Sequence, residues 1–323
     1  MNIVFGPVPS RRLGYSLGIN HIPSKYCPYS CVYCQVGRTT HMSFERQEFY
    51  PVDQILADVE RKVVECAQVG KEIEYLTLVP DGEPTLDLNL GKIIGRLKQF
   101  RIPIAVISNA SLINRLDVQE ELLQADWVSL KVDSVDETMW RKINRPHRQL
   151  SLPDILDGML IFQKKYHGEL VTESMLVAGL NDNENTTREL CDFLLELQPF
   201  KSYLSIPTRP PAEPGITAPS PDSLQQIIKI CSAKIPFMDL LFETEVGEFI
   251  STGDLAEDIL SITAVHPLRE EALRTMVSMA GGTWSVVEEL LTTKEISSID
   301  YRNERYFLRH SKKFPGRSNE LPS

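Results

Sequence analysis

Between residues 15 and 207, short runs rich in Val, Ile and Leu alternate with segments of helical period, and this limits the fold more than any other feature of the 323-residue chain. Two parallel strands cannot be joined by a tight turn. A crossover, usually a helix, must intervene, so repeated strand and helix patterns read as βα units around a sheet buried on both faces. Strands are expected at 15–20, 74–80, 103–108, 127–132, 170–177 and 202–207, and helices at 52–66, 88–99, 116–124, 153–166, 185–197 and 222–233. In 52–66, Val52, Ile55, Leu56, Val59, Val63 and Cys66 form one stripe, while Asp53, Asp58, Glu60, Arg61, Lys62 and Glu65 mostly face away. Asn185 is the expected N-cap of the fifth helix, and Asp222 falls in the first turn of the sixth. Six such units predict an α/β fold, an open (β/α)6 partial barrel that is three-quarters of a TIM-like (β/α)8 barrel.

The proline-rich run 207–221 has no period and reads as a strap across the barrel's rim. Arg209 directly follows the sixth strand, either as a functional group at the rim or as a surface arginine of an extended segment. Beyond residue 264 the pattern changes to helices at 267–280 and 284–292 and a β-like pair, resembling a winged helix. The expected organisation is therefore a barrel over 1–235, a connection over 236–263, a winged-helix-like domain over 264–310 and a basic tail over 311–323. Across 301–317, Arg302, Arg305, Arg309, Lys312, Lys313 and Arg317 interleave with Tyr301, Tyr306, Phe307 and Phe314. That pattern reads either as a nucleic-acid contact or as a solvated end.

The 34 basic against 44 acidic residues give a net charge of −10, which excludes a surface basic throughout. The first fifty residues run the other way, with Arg11, Arg12, Lys25, Arg38 and Arg46 against Glu45 and Glu48, and leave room for an anionic ligand. No stretch approaches the roughly 18 apolar residues of a membrane helix, and the opening lacks the apolar core of a secretion signal. The chain is expected to be cytoplasmic, without a membrane partner.

Three of the six cysteines, Cys27, Cys31 and Cys34, crowd into eight positions, whereas Cys66, Cys191 and Cys231 are scattered and read as small core residues. An odd cluster in a reducing compartment does not form a disulfide framework. The spacing lets one loop present three thiolates to an iron–sulfur cluster, which normally takes four, so that one iron is left for a small molecule. Zinc completed by His21 or His41 is the alternative.

Cys27-x-x-x-Cys31-x-x-Cys34, in the loop after the first strand of a six-unit βα fold, resembles the motif of the radical S-adenosylmethionine superfamily over residues 5 to 210. The resemblance implies that the three cysteines hold a [4Fe-4S] cluster whose fourth iron is chelated by S-adenosylmethionine. Reductive cleavage then yields a 5′-deoxyadenosyl radical that takes a substrate hydrogen. It also implies an adenine contact at Tyr33, and an amine-binding segment at Gly82, Glu83 and Pro84, with Asp81 where the family commonly has glycine. Ser108 and Asn109, ending the third strand, suit the cofactor's ribose or carboxylate. Ser129, Lys131 and Asp133 share one strand face at period two, with Asp133 the expected partner of Lys131, and these two are the catalytic candidates, unless they form a structural ion pair. Substrate candidates are Arg11, Arg12, Arg145, Glu173 and Arg209, with Asn181, Asp182 and Asn183 as further rim groups. The opening Phe5-Gly-Pro-Val-Pro-Ser-Arg-Arg-Leu-Gly14 resembles iron–sulfur oxidoreductases near the wyosine-type tRNA-modifying branch, although no cysteine precedes Cys27 to hold that branch's second cluster. The implied partners are an electron donor such as flavodoxin or ferredoxin and a substrate that is an RNA base, a small molecule or a peptide. A redox sensor without turnover is the rival from another class.

Overall fold

The computed structural model describes residues 3–241, 253–301 and 303–309. Its elements run β1 (Val4–Ser10), β2 (Gly14–Ile19), β3 (Tyr26–Cys27), β4 (His41–Met42), α1 (Val52–Gln68), β5 (Tyr75–Leu78), α2 (Leu90–Leu97), β6 (Ile104–Ser108), α3 (Leu116–Leu122), β7 (Trp127–Lys131), α4 (Glu137–Asn144), α5 (Leu152–Gln163), β8 (Glu169–Met175), α6 (Glu184–Leu197), β9 (Lys201–Ser205), α7 (Pro221–Lys234) and β10 (Met238–Leu241). They continue with α8 (Leu255–Val265), β11 (Leu268–Arg269), α9 (Glu270–Met279), α10 (Ser285–Thr292), β12 (Ile296–Tyr301) and β13 (Glu304–Arg309).

One sheet of order β1-β2-β5-β6-β7-β8-β9-β10 carries the larger part of the molecule. From β2 to β10 every neighbour is parallel, and β1 pairs antiparallel with β2. All six expected strands are present, five of them shortened by a residue or more and the first shifted by one without loss of length. The sheet is nevertheless mixed and larger than six parallel strands. Pro7 and Pro9 hid β1, because proline cannot donate to a ladder; at the sheet edge, with an irregular register between Phe5 and Val8, they are accommodated. The four-residue, half-exposed β10 forms the other edge.

Helix α4 was also not foreseen, although its start carries the expected signal: the Asp136 side chain accepts from Met139 N at 2.8 Å, with Glu137 in the first turn. Asn183, rather than Asn185, caps α6 by accepting from Thr186 N at 3.1 Å. The α1 stripe is buried as expected against the core of the sheet, which includes Leu17, Ile19, Leu76 and Leu78. Lys62 is buried as well, contrary to its place among the outward charges. Its Nζ lies 2.7 Å from Asp258 Oδ1 in α8, a partner 196 positions away.

The C-terminal part packs α8, α9 and α10 against an antiparallel sheet of order β11-β13-β12, around Ile259, Ile262, Leu273, Met276, Val287 and Phe307. Its element order is helix, strand, helix, helix, strand, strand. The first of these helices lies mostly in the segment expected to be a connection. Residue 267 does not open a helix, because β11 comes first and α9 begins at Glu270. Arg302, residue 310 and the basic tail over 311–323 lie outside the described residues. No helix among the described residues is long and apolar enough to cross a membrane.

Candidate active site

The loop after β2 is pinned by the backbone before any cofactor is considered. Val32 N donates to Ile143 O at 2.9 Å and Ser30 N to Asn144 O at 3.0 Å, fixing the middle of the loop to the end of α4. Cys34 N donates to Cys31 O at 3.1 Å and Gly37 N to Cys34 O at 3.0 Å, so the two later cysteines sit in consecutive turns. Gly37 needs its freedom there, with φ at 86°. All three thiols line a cavity of about 310 Å³ that is also lined by residues at or just beyond the carboxyl ends of β5 to β10. Burial pushes the Cys27 thiol well up and that of Cys31 up to about 12.

The donor set fits a cluster better than a single ion. Among the described residues, no three His, Cys, Asp or Glu side chains converge as the ligands of one metal ion do. His41 is exposed and stacks on Tyr26 at 4.3 Å, and burial brings His21 down to about 4, a neutral ring with Nδ1 3.5 Å from Ile19 O. The zinc alternative therefore lacks its shell. In a cubane each thiolate takes its own iron, so three separate sulfurs around one cavity wall suit it.

Two orphaned polar atoms point the same way. Lys25 Nζ and Asp81 Oδ1 are both buried without a hydrogen-bond partner, and both residues line the cavity. Buried polar atoms without a hydrogen-bond partner are costly, and an amino-acid zwitterion such as the methionyl end of S-adenosylmethionine would answer both. Between them the main chain comes close: a Cβ at Gly82 would lie 2.3 Å from Tyr26 O.

Glu83 organises this wall. Its Oε1 accepts from Thr85 N at 3.1 Å, Thr85 Oγ1 at 2.7 Å and Ser108 Oγ at 2.7 Å, and its Oε2 from Asn109 N at 2.8 Å. Ser108 thus serves Glu83 as well as facing the cavity, and Pro84 opens the short turn Pro84–Leu86 behind the wall. The Asn109 side chain turns to the cysteines, with Nδ2 3.2 Å from Cys27 Sγ.

The expected Lys131–Asp133 pair is corrected. Strand β7 ends at Lys131, so period two does not carry on to Asp133. Lys131 Nζ instead pairs with Glu173 Oε1 at 3.1 Å, across the register Lys131↔Glu173 of β7 and β8. Arg12 Nη1 takes the other oxygen of Glu173 at 2.5 Å, its guanidinium lying 5.8 Å from the Trp127 ring and 5.9 Å from that of Tyr203. Burial alone would raise the Glu173 carboxyl; Lys131 and Arg12 overcome it and hold it at about 2. Arg12 comes from the turn between β1 and β2, at the amino end of β2, so this trio forms the cavity's floor, opposite the cysteine loop.

Asp133 lies behind the cavity wall. It accepts from the Tyr33 hydroxyl, from Asn144 Nδ2 at 2.6 Å and from Met175 N at 2.8 Å. Tyr33 lines the cavity with its ring, whose centroid is 5.0 Å from Lys131 Nζ, while its hydroxyl donates to Asp133.

Arg11 lines the rim, exposed. Arg209 also lines the cavity, held by Gln35 Oε1 at 2.7 Å and His266 Nε2 at 3.0 Å. Arg145 does not line it: in left-handed backbone at the end of α4, it pairs with Glu213 of the strap at 2.6 Å. Asn181 is spent on the backbone oxygens of Asp133 and Met175, and Asp182 and Asn183 serve turns and the α6 cap. Asn144, Lys25 and Gln35 escaped notice as site residues. Only Lys25 carried a sequence signal, a cation two positions before Cys27.

The profile of the Radical SAM superfamily matches residues 21–194, more than half of the chain. This chain belongs to the radical SAM superfamily. Members use a [4Fe-4S] cluster and S-adenosylmethionine. A UPF0026 protein of Methanocaldococcus jannaschii is 44% identical over 314 residues, 97% of each chain. A radical SAM methyltransferase from Sphaerobacter thermophilus aligns over 70% of this chain and 66% of its own, with a TM-score of 0.56 and 16% identity, a likeness of fold alone. Archaeal TYW1 aligns over 68% of this chain and 72% of its own, with a TM-score of 0.46 and 15% identity.

In this radical SAM chain, Glu83→Gln is expected to lower stability by about 2 kcal/mol, because the new amide must turn a donor toward groups that themselves donate. Denaturant unfolding of the two proteins under anaerobic, reducing conditions checks it, and equal midpoints would remove Glu83 from its organising place.

Proposed function

We propose that this chain is a radical enzyme acting on a small anionic substrate. In this reading Cys27, Cys31 and Cys34 hold the cluster, Lys25, Asp81, Gly82 and Glu83 hold the amino-acid end of S-adenosylmethionine, and the substrate lies over the floor of Arg12, Lys131 and Glu173. When bound, the cluster and S-adenosylmethionine together supply the electron and the radical that removes a substrate hydrogen. The observation that carries the reading is one cavity joining three thiols to a cationic floor. Arg11, Arg12, Lys25, Lys131 and Arg209 line it against Asp81, Glu83 and Glu173. These five cations outnumber the three carboxylates, so the field of these side chains is positive and is focused by low-dielectric walls. Tyr33, with its hydroxyl held by Asp133, offers a fixed ring face between the cysteine loop and the floor.

The partial-barrel reading is supported by residues as far apart in the sheet as Pro80 after β5 and Leu241 of β10 lining the same cavity. The order of elements after residue 254 supports the winged-helix reading. Its location supports a role at the mouth: Tyr306 donates to Thr208 O at 2.9 Å, Tyr301 to Pro207 O at 3.3 Å, and Gln35 to Val265 O at 3.1 Å. These contacts weigh against RNA as the first choice of substrate. Tyr306 and Phe307 are buried, so these two aromatics of the basic, aromatic pattern are spent inside the protein, and the exposed Arg305 is answered at the surface by Asp300 and Glu270.

The test is anaerobic reconstitution, reduction by dithionite or by flavodoxin or ferredoxin, and assay of 5′-deoxyadenosine. Small molecules retained on an anion exchanger are expected to raise its rate. Stimulation by RNA alone would overturn the small-molecule reading. A chain with four irons that never forms 5′-deoxyadenosine, with any addition, would point to the sensor.

A further inference from the structure

We infer that Asn109 and Asn144 are positioning residues that set the cluster's reduction potential by donating N–H···S hydrogen bonds to two of its cysteine ligands. The inference rests on Cys27, Cys31 and Cys34 being those ligands. Asn109 Nδ2 lies 3.2 Å from Cys27 Sγ and Asn144 Nδ2 3.3 Å from Cys31 Sγ, within sulfur hydrogen-bond range. The two donors arrive from different elements, one just after strand β6 and the other at the end of helix α4.

In each case the surroundings decide which end of the amide faces the sulfur. Asn109 Oδ1 accepts from Ser111 N at 2.9 Å, which leaves only its NH2 for Cys27. Asn144 Nδ2 also donates to the Asp133 carboxylate at 2.6 Å; turned around, the amide would set its oxygen against two negative groups. The backbones are fixed as well, Asn109 N by Glu83 and Asn144 O by Ser30 N. The donors are thus aimed by the protein's own hydrogen bonds.

Adding an electron increases the negative charge on the cluster's sulfurs, so a fixed N–H dipole favours the reduced form more than the oxidised one. Hydrogen bonds to the sulfurs are among the levers that set such potentials. Asn144 is 2% exposed, where water replaces the lost dipole poorly. Each bond is expected to favour reduction about tenfold, which for one electron is about 59 mV.

The experiment is an electron-paramagnetic-resonance redox titration of the reconstituted full chain and of its Asn109→Ala and Asn144→Ala variants, with iron counted in each. Midpoints more negative by about the tenfold equivalent, with four irons retained, are expected. Asn109→Ala is the cleaner case, because Asn144→Ala also frees Asp133. Unchanged midpoints at full iron content would overturn the inference. If a variant does not load, pulsed measurements on the reduced native cluster decide instead. Coupling to a ¹⁵N-labelled asparagine side-chain amide is expected, and its absence overturns the inference. A Cys31→Ala chain that still holds four irons would show a different failure, that of the ligand assignment.

Discussion

Cys31→Ala protein is expected to lose the full cluster and to form 5′-deoxyadenosine only at background, while remaining folded. The turn that carries Cys31 is made by its backbone, through Cys31 O and Cys34 N, and the loop is further tied to α4 by Val32 and Ser30. None of these bonds needs the thiol. The lost ligand has no substitute nearby among the described residues. Cys66 faces the core from α1, and Cys191 and Cys231 face each other from α6 and α7, with sulfurs 2.8 Å apart. Cys66→Ala is the matched control: it removes one buried sulfur, costs about 1 kcal/mol of stability and leaves iron and turnover in place. Iron and sulfide content, 5′-deoxyadenosine and a thermal melt of the three proteins separate loss of chemistry from loss of fold. Four irons in Cys31→Ala would sink the assignment, and a melt as low as that of an unfolded chain would show that the thiol holds the loop after all.

What could be read from the sequence follows the range of the interactions. The parallel strands were legible because each is a local apolar run, and the cysteines and the segment from Asp81 to Glu83 because each is a motif within one loop. Lys131 shows the limit. Period two joined it to Asp133, yet the strand ends at Lys131 and the real partner is Glu173, one strand over and 42 positions later. Which residue stands opposite which depends on the register of β7 and β8, and register is fixed by packing that no single strand encodes. Lys62 fails for the same reason, since its outward character on α1 is overridden by Asp258 in a helix far along the chain. Asn144 was invisible because α4 was: without that helix, the residue is simply the neighbour of Arg145. Arg12 was legible only as one of the basic residues of the first fifty, a substrate candidate with no place in the fold. It lines the cysteines' cavity, but from the floor below rather than from the loop.

Glu173→Gln tests that floor through its charge. The carboxylate lies between Lys131 and Arg12 with its side chain 15% exposed, and the two cations hold it at about 2, below its ordinary value of 4.5. A carboxyl depressed in the fold is worth stability that is complete above pH 4.5 and drains away as pH falls toward 2, because over that window the unfolded chain binds the proton and the folded one does not. The size is about 3 kcal/mol at neutral pH. Glutamine keeps the shape but leaves two buried cations facing an amide. The variant is therefore expected to be less stable by about 3 kcal/mol at pH 7, with the gap closing between pH 4.5 and 2. Denaturant midpoints of both apoproteins across that range read it directly, and a gap that stays constant with pH would mean that the loss comes from packing rather than from charge. Among the described residues no hydrogen bond or ion pair joins the cysteine loop to Glu173, so the variant should still load four irons. Iron loading together with a pH-dependent gap assigns Glu173 to the floor; loss of iron in the variant would show that floor and loop are not separate parts of the site.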